Sequence, residues 1–226
     1  MRERTVHWAR LFLILVIVLA IGVAVAAALQ TPSASGGPAL LPQLLGSLLP
    51  RVEKRIGIVA GHSGSDSGAV CPDGLTEAQV NRTIADAVVK ELTQRGARVD
   101  LLDEFDNRLR AYRADAFVSI HADSCQVSLS GFKVASLDGG SDASVQLADC
   151  LWREYETATN LPRHPNTVSD DMSRYHAFRE IAIETPAAII ETGFLKADRE
   201  LLTQHPERPA AGIVAGIECF LKKSAK

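Results

Sequence analysis

Three short apolar runs constrain this chain more than any other feature, because each is released at its C-terminal end into a His or a Glu. Arg55-Ile56-Gly57-Ile58-Val59-Ala60 leads into Gly61-His62, Ala116-Phe117-Val118-Ser119-Ile120 into His121-Ala122-Asp123, and Ala187-Ala188-Ile189-Ile190 into Glu191-Thr192-Gly193-Phe194. Short runs rich in β-branched and aromatic residues, bounded by turn residues, read as buried strands. Helical patterns stand between them. Strands alternating with helices predict a single α/β domain, with a mostly parallel twisted sheet and helices on both faces. In such a sheet, ligands and catalytic groups gather outside the carboxyl ends of the strands. His62, His121 and Glu191 are therefore nominated together.

The helix after the first run adds a fourth group. Thr76 with Gln79 three residues on is a capping-box pattern. Val80, Ile84, Val88 and Leu92 then recur every four residues, and Gly96 stands where a helix would stop. Glu77 falls in the first turn, three residues before Val80 on the inward face, where a carboxylate costs free energy unless it is paired or ligating. Taken singly, Glu77 as a complement to the helix dipole and His62 as a turn residue are adequate readings. With His121, however, they make two imidazoles and a carboxylate, the ligand set of a hydrolytic zinc site that keeps one position open. Zinc of that kind brings the pKa of water to about 7. Glu191, outside the set, is the candidate to move a proton from that water to a leaving amine. The count fits metal-assisted hydrolysis of an amide or ester.

Four segments sharpen this reading: AGHSGSDSGA at 60–69, LTEAQVN at 75–81, VSIHADS at 118–124 and IIETGF at 189–194. With these in this order, the chain from Arg55 to Leu221 resembles the zinc-dependent N-acetylmuramoyl-L-alanine amidases that cleave bacterial peptidoglycan. The resemblance implies zinc held by His62, Glu77 and His121, Glu191 as catalytic acid/base, and peptidoglycan as substrate. The bond cut would be the amide between N-acetylmuramic acid and L-alanine. Ser63 stands where the family more often has Gly, and Asp123 where it often has Asn; neither change removes a ligand. The stretch LLDEFDNRLRAYRADAF at 101–117 is shorter than the family's helix there, so the family's Arg is left unassigned among Arg108, Arg110 and Arg113. His176, in SRYHAFREIA, is a further candidate to touch substrate or metal, against a packing role, while His164 and His205, each beside a proline, read as solvated. Two other functions share these features: a catalytically silent wall-binding module of the same fold, and a zinc hydrolase of another extracellular amide.

Leu11 to Leu29 is an uninterrupted apolar segment, long enough as a helix to cross a bilayer core. Arg2, Arg4 and Arg10 precede it against a single Glu3, with Trp8 at an interfacial position, so the N-terminus is expected to stay cytoplasmic and the remainder to be exported. The expected organisation is a cytoplasmic tail at 1–10, a transmembrane signal-anchor at 11–29, a linker at 30–54 and a zinc amidase catalytic domain at 55–226. That places the domain outside the cell membrane, tethered by a single pass. Secretion after cleavage near Ala24, Ala26 and Ala27 is the alternative, but the run exceeds the roughly 7–15 residues of a usual signal core.

The chain's 24 basic and 27 acidic residues fall to 21 and 26 once Arg2, Arg4, Arg10 and Glu3 are set aside, a formal charge of −5. That balance speaks against nucleic acid as a partner and against bulk electrostatic adhesion to anionic wall polymers. Cys71, Cys125, Cys150 and Cys219 all lie beyond the apolar segment and admit three pairings. Cys71 follows the first ligand strand and Cys125 follows His121, so both belong near the site. Cys150 and Cys219 fall on helical patterns. The expected pairs are Cys71–Cys125 and Cys150–Cys219, as in an oxidising compartment. The absence of any CxxC pair argues against cysteine as a zinc ligand. No autoinhibitory insertion is evident, so regulation falls to tethering or to an unidentified activator protein.

Overall fold

The computed structural model describes residues 53–125 and 128–224. The expected tail, membrane segment and nearly all of the linker lie outside these residues. No helix among the described residues is long and apolar enough to cross a membrane.

Strand β1 (Arg55–Ala60) leads through a loop to helix α1 (Glu77–Gln94) and then β2 (Arg98–Leu102). A 3-10 turn at Asn107–Leu109 precedes β3 (Ala116–Asp123), short β4 (Lys133–Ala135) and α2 (Asp142–Thr159). Next come a 3-10 turn at Pro165–Thr167, α3 (Asp170–Ser173), α4 (Ala177–Glu180), β5 (Ala187–Phe194), α5 (Arg199–Gln204) and α6 (Glu207–Ser224). The strands form one sheet in the order β2-β1-β3-β5-β4. All neighbours are parallel except β4, which runs antiparallel to β5 at one edge. The chain leaves β1 to build β2 on one side and β3 on the other. The connections at the carboxyl ends of β1 and β3 therefore diverge, and a sheet opens its ligand crevice at such a point.

Local chemistry sets the first helix as the sequence suggests. Thr76 Oγ1 accepts from Gln79 N at 3.3 Å while Gln79 Oε1 accepts from Thr76 N at 3.2 Å, closing the capping box. Val80, Ile84, Val88 and Leu92 are all buried. Helices α2 and α6 approach closely because Gly212 and Gly216 face Tyr155 and Leu151; a Cβ at Gly216 would lie 2.7 Å from Leu151 Cδ2 and 2.9 Å from its Cα. The Cys150–Cys219 disulfide joins the same two helices.

The two faces of the sheet differ: helices lie on both, as expected, but they are of very unequal length. Ile56, Ile58, Ala60, Val118, Ile120, Ala188 and Ile190 share a core with α1, α2 and α6, the three eighteen-residue helices. Val59, Leu102, Phe117, Ala187 and Ile189 point the other way, against Leu109, Tyr112, Met172, Tyr175 and Phe178. That cover is only the first 3-10 turn, the four-residue helices α3 and α4, and loops. The physical reason lies in the segments that reach this face. Pro162, Pro165 and Pro186 bound the segment, and within it the short helices stop at Arg174 and Ile181, so no long helix forms there.

A second difference concerns strand length. His121 and Glu191 were expected just beyond their strands, yet β3 and β5 continue through both. The ladder absorbs this with a register shift between His121 and Asp123. Such bulges re-aim side chains and are common beside active sites.

Candidate functional site

Sheet order translates distant sequence positions into a row. Glu104 lies two residues past β2, His62 two residues past β1, His121 within the end of β3 and Glu191 within the end of β5, and these strands are neighbours in that order. Ala60 pairs with Ile120 and His121 with Glu191. Gly61 N donates to Ile120 O at 2.9 Å, fixing the exit of β1 against β3. Gly61 also lets the His121 ring pass, since a Cβ there would lie 2.4 Å from its Nε2.

Helix α1 brings the carboxylate. Glu77 Oε1 lies 3.2 Å from His62 Nε2 and 3.0 Å from His121 Nδ1. The same oxygen accepts from Asn81 Nδ2 at 3.2 Å and Ala122 N at 3.3 Å, and Oε2 accepts from Ala69 N at 3.1 Å. His62 adopts a left-handed backbone, φ 65°, which costs a non-glycine residue about 1 kcal/mol. It is held there by a tight turn, with Ser63 N donating to Ala60 O at 3.0 Å and Asp66 N to His62 O at 3.1 Å. The Cys71–Cys125 disulfide, at the expected pairing, ties the loop between His62 and Glu77 to the segment after His121.

The three ligand candidates therefore meet: one donor atom from each of His62, Glu77 and His121 lies within 4.8 Å of the other two. Two imidazoles and one carboxylate at this separation suit a divalent cation of zinc's preference. Both imidazoles also have a carboxylate at the remaining nitrogen. Asp66 Oδ1 lies 2.6 Å from His62 Nδ1, and Glu104 Oε2 lies 3.5 Å from His121 Nε2. The electrostatics point the same way. Burial opposes charge on His121, but contact with Glu104 and Glu77 outweighs it and lifts the imidazole to about 10. Contact with Glu77 likewise raises His62. Burial alone would raise Glu77 and Glu104, yet the histidines hold both well below the usual carboxylate range. A cluster that binds protons on imidazole this firmly is a cluster that favours positive charge.

Glu191 differs from the others. Burial pushes its carboxyl up to about 7, with His121 opposing and Glu77 and Asp123 adding to the rise. Its Oε2 is buried and finds no hydrogen-bond partner among the described residues. Lys133, its cross-strand neighbour on β4, forms an ion pair with Asp123. A carboxyl raised to near neutrality beside the candidate ligand His121 is chemically suited to move a proton.

The sequence missed one member. Glu104 is 5% exposed and touches the site at several points. It stands past the end of a strand, as His62 does, but the β2 pattern is weakly apolar, so its exit carried no signal. His176 meets this residue rather than the ligands: Nε2 lies 2.9 Å from Glu104 Oε1 and Nδ1 lies 2.8 Å from Glu180 Oε1. Among the unassigned arginines, Arg108 pairs with Asp106 and Arg113 with Glu184, and Arg110 is exposed. His205 is exposed, as expected, but His164 is half-buried with its ring edge-on to Phe194 at 5.7 Å.

Comparison with known proteins identifies the family. The family model described as N-acetylmuramoyl-L-alanine amidase matches residues 56–219. The N-acetylmuramoyl-L-alanine amidase AmiC of Neisseria meningitidis serogroup B is 40% identical over 215 residues, covering 73% of this chain and 52% of AmiC. The uncharacterised protein YqiI of Bacillus subtilis is 29% identical over 181 residues, covering 74% of this chain and 84% of YqiI. Among solved structures, N-acetylmuramoyl-L-alanine amidase AmiC2 of Nostoc punctiforme superposes with a TM-score of 0.59 at 26% identity, covering 75% of this chain and 97% of that one. This chain thus spans about half the length of the Neisseria protein. It belongs to the N-acetylmuramoyl-L-alanine amidase family and is a cell-wall amidase.

Proposed function

We propose that this amidase is zinc-dependent, that His62, Glu77 and His121 hold the ion, and that Glu191 handles the proton in hydrolysis of the bond between N-acetylmuramic acid and L-alanine. The observation that carries the reading is the convergence of three donor atoms, from β1's exit, α1 and β3, within 4.8 Å of one another. Zinc in this set would supply Lewis acidity, polarising the amide carbonyl and acidifying water. The chain's own residues do the rest. Glu77 is fixed by four backbone and side-chain contacts, so its Oε1 stays between the two imidazoles. Glu191 Oε2, free of other partners among the described residues, accepts a proton from the attacking water and returns it to the amide nitrogen as the bond breaks.

The test is digestion of purified peptidoglycan by the protein with and without chelator, and by Glu191→Gln. Release of stem peptides with a new L-alanine amino terminus is expected from the parent, lost with chelator and restored by zinc. Glu191→Gln should be slower by roughly 10²–10⁴-fold, the usual size of general acid/base catalysis. A chelator-insensitive parent would remove the metal, and a variant as fast as the parent would remove Glu191.

We further propose that residues 11–29 anchor the enzyme in the cell membrane with the catalytic domain outside. The support is the length of the apolar segment and the flanking Arg2, Arg4 and Arg10. Recovery of the intact N-terminus in washed membranes is expected; a soluble product beginning near residue 28 would show cleavage instead.

A further inference from the structure

We propose that Glu104 positions the metal ligands, acting on both histidines from a single buried carboxylate; the inference rests on the ligand set proposed above. One oxygen faces the site. Glu104 Oε2 accepts from the backbone N of His62 at 2.8 Å and lies 3.5 Å from His121 Nε2. The other oxygen faces away and is anchored: Oε1 accepts from Tyr175 Oη at 2.9 Å and lies 2.9 Å from His176 Nε2. The anchors are themselves held. Ser119 Oγ, on β3, donates to Tyr175 Oη at 3.0 Å, and Glu180 fixes the other nitrogen of His176 at 2.8 Å. Glu104 N donates to Ser63 O at 3.0 Å, so the backbone of this residue is also locked to the His62 turn.

The consequence follows from imidazole chemistry. His121 presents Nδ1 to Glu77 and Nε2 to Glu104. A ligating histidine must be neutral and give up the lone pair of one nitrogen, which places its proton on the other. If His121 ligates through Nδ1, that proton sits on Nε2, facing a carboxylate whose position is set by three other contacts. Glu104 thus favours the one tautomer that can ligate through Nδ1, and it aligns the ring. At 3.5 Å the contact works through charge rather than as a short hydrogen bond. At His62 the same oxygen holds the N–H of a residue in a left-handed conformation, so the turn that aims the first imidazole depends on it as well. Carboxylates behind metal-bound histidines typically change metal affinity by 10–100-fold when removed.

The experiment uses the full chain and measures three things: zinc affinity by competition with a chelator, the visible spectrum of the cobalt-substituted protein, and the melting temperature without metal. Glu104→Gln is expected to weaken zinc binding 10–100-fold and to shift the cobalt bands, with Glu104→Asp recovering part of both. Tyr175→Phe keeps the ring packed edge-on to His121 at 5.6 Å and removes only the hydroxyl that anchors Glu104. It should weaken zinc binding about 2–5-fold and move the cobalt bands in the same direction. Glu104→Gln and Tyr175→Phe proteins that bind zinc within twofold of the parent, with an unchanged cobalt spectrum, would overturn the proposal. If Glu104→Gln fails to fold, Tyr175→Phe decides by the same criterion. A parent that takes up no zinc would overturn the ligand assignment and this inference together; a parent and variants that bind equally would overturn this inference alone.

Discussion

The two disulfides offer a perturbation in which stability and site geometry separate. Cys71–Cys125 closes a sequence separation of 54 and Cys150–Cys219 one of 69. In the chain-entropy picture, the cost of releasing a cross-link depends only on the logarithm of loop length, giving roughly 4 kcal/mol for either. The double variants Cys71→Ala with Cys125→Ala, and Cys150→Ala with Cys219→Ala, should therefore lose similar stability, about 2–5 kcal/mol in urea unfolding without metal. Their effects on zinc should differ. Cys71 lies between His62 and Glu77 along the chain and Cys125 lies four residues after His121, so this bond clamps both segments that carry the proposed ligands. The other bond joins α2 to α6, neither of which carries a ligand. Measured well below the unfolding transition, zinc affinity should fall at least tenfold in the first variant and stay within threefold of the parent in the second. Equal affinities in the two, or a larger loss in the second, would refute the argument that the first clamp sets the spacing of the donors.

Three further outcomes are expected. Gly68→Ala should cost about 1 kcal/mol for its left-handed backbone, and weaken zinc binding in the folded protein. Gly68 has φ 59°, and its new Cβ would lie 2.6 Å from Glu77 Oε2 and 2.7 Å from His62 Cδ2; unchanged affinity would show that these groups yield freely. Thr76→Ala, which opens the capping box of α1, should lower stability by about 1 kcal/mol in urea unfolding. Asp100 gives a pH dependence away from the site. Burial alone would raise its pKa, but Tyr112 Oη at 2.7 Å and Arg55 Nε at 2.8 Å outweigh that and depress it below the ordinary 3.8. A depressed folded pKa contributes stability that is fully present above the ordinary value and is lost as pH falls through the folded one. The parent should therefore exceed Asp100→Asn by about 1 kcal/mol at pH 7, given partial solvent screening, and the gap should narrow below about pH 4. A gap that widens on acidification would contradict the assigned direction.

Much of this architecture could be read before any coordinates. Buried parallel strands announce themselves as apolar runs because both of their faces are covered, and β1, β3 and β5 are all of that kind. The first turn of α1 was legible because Thr76 and Gln79 satisfy its free backbone groups by purely local bonds. His62, His121 and Glu191 stood out because each follows an apolar strand at its carboxyl end, and Glu77 because it falls on an inward helix face where desolvation penalises an unpaired polar group. The pairing of Cys71 with Cys125 followed from the two segments that β1 and β3 bring together, which left Cys150 and Cys219, both on helical patterns, for each other.

What tertiary structure decided were the relations that no local pattern encodes. Sheet order placed β2 beside β1 and so delivered Glu104 to the histidines, although nothing in LLDEFDN marks that residue as buried. The same folding set His176 against Glu104 and Glu180, and carried β3 and β5 past the ends of their apolar runs. The uneven cover of the two sheet faces also arose there, from short elements whose burial depends on distant partners. Periodicity and capping act within a few residues and are written in the sequence; the position of a charge relative to groups forty or seventy residues away is settled only when strands choose their neighbours.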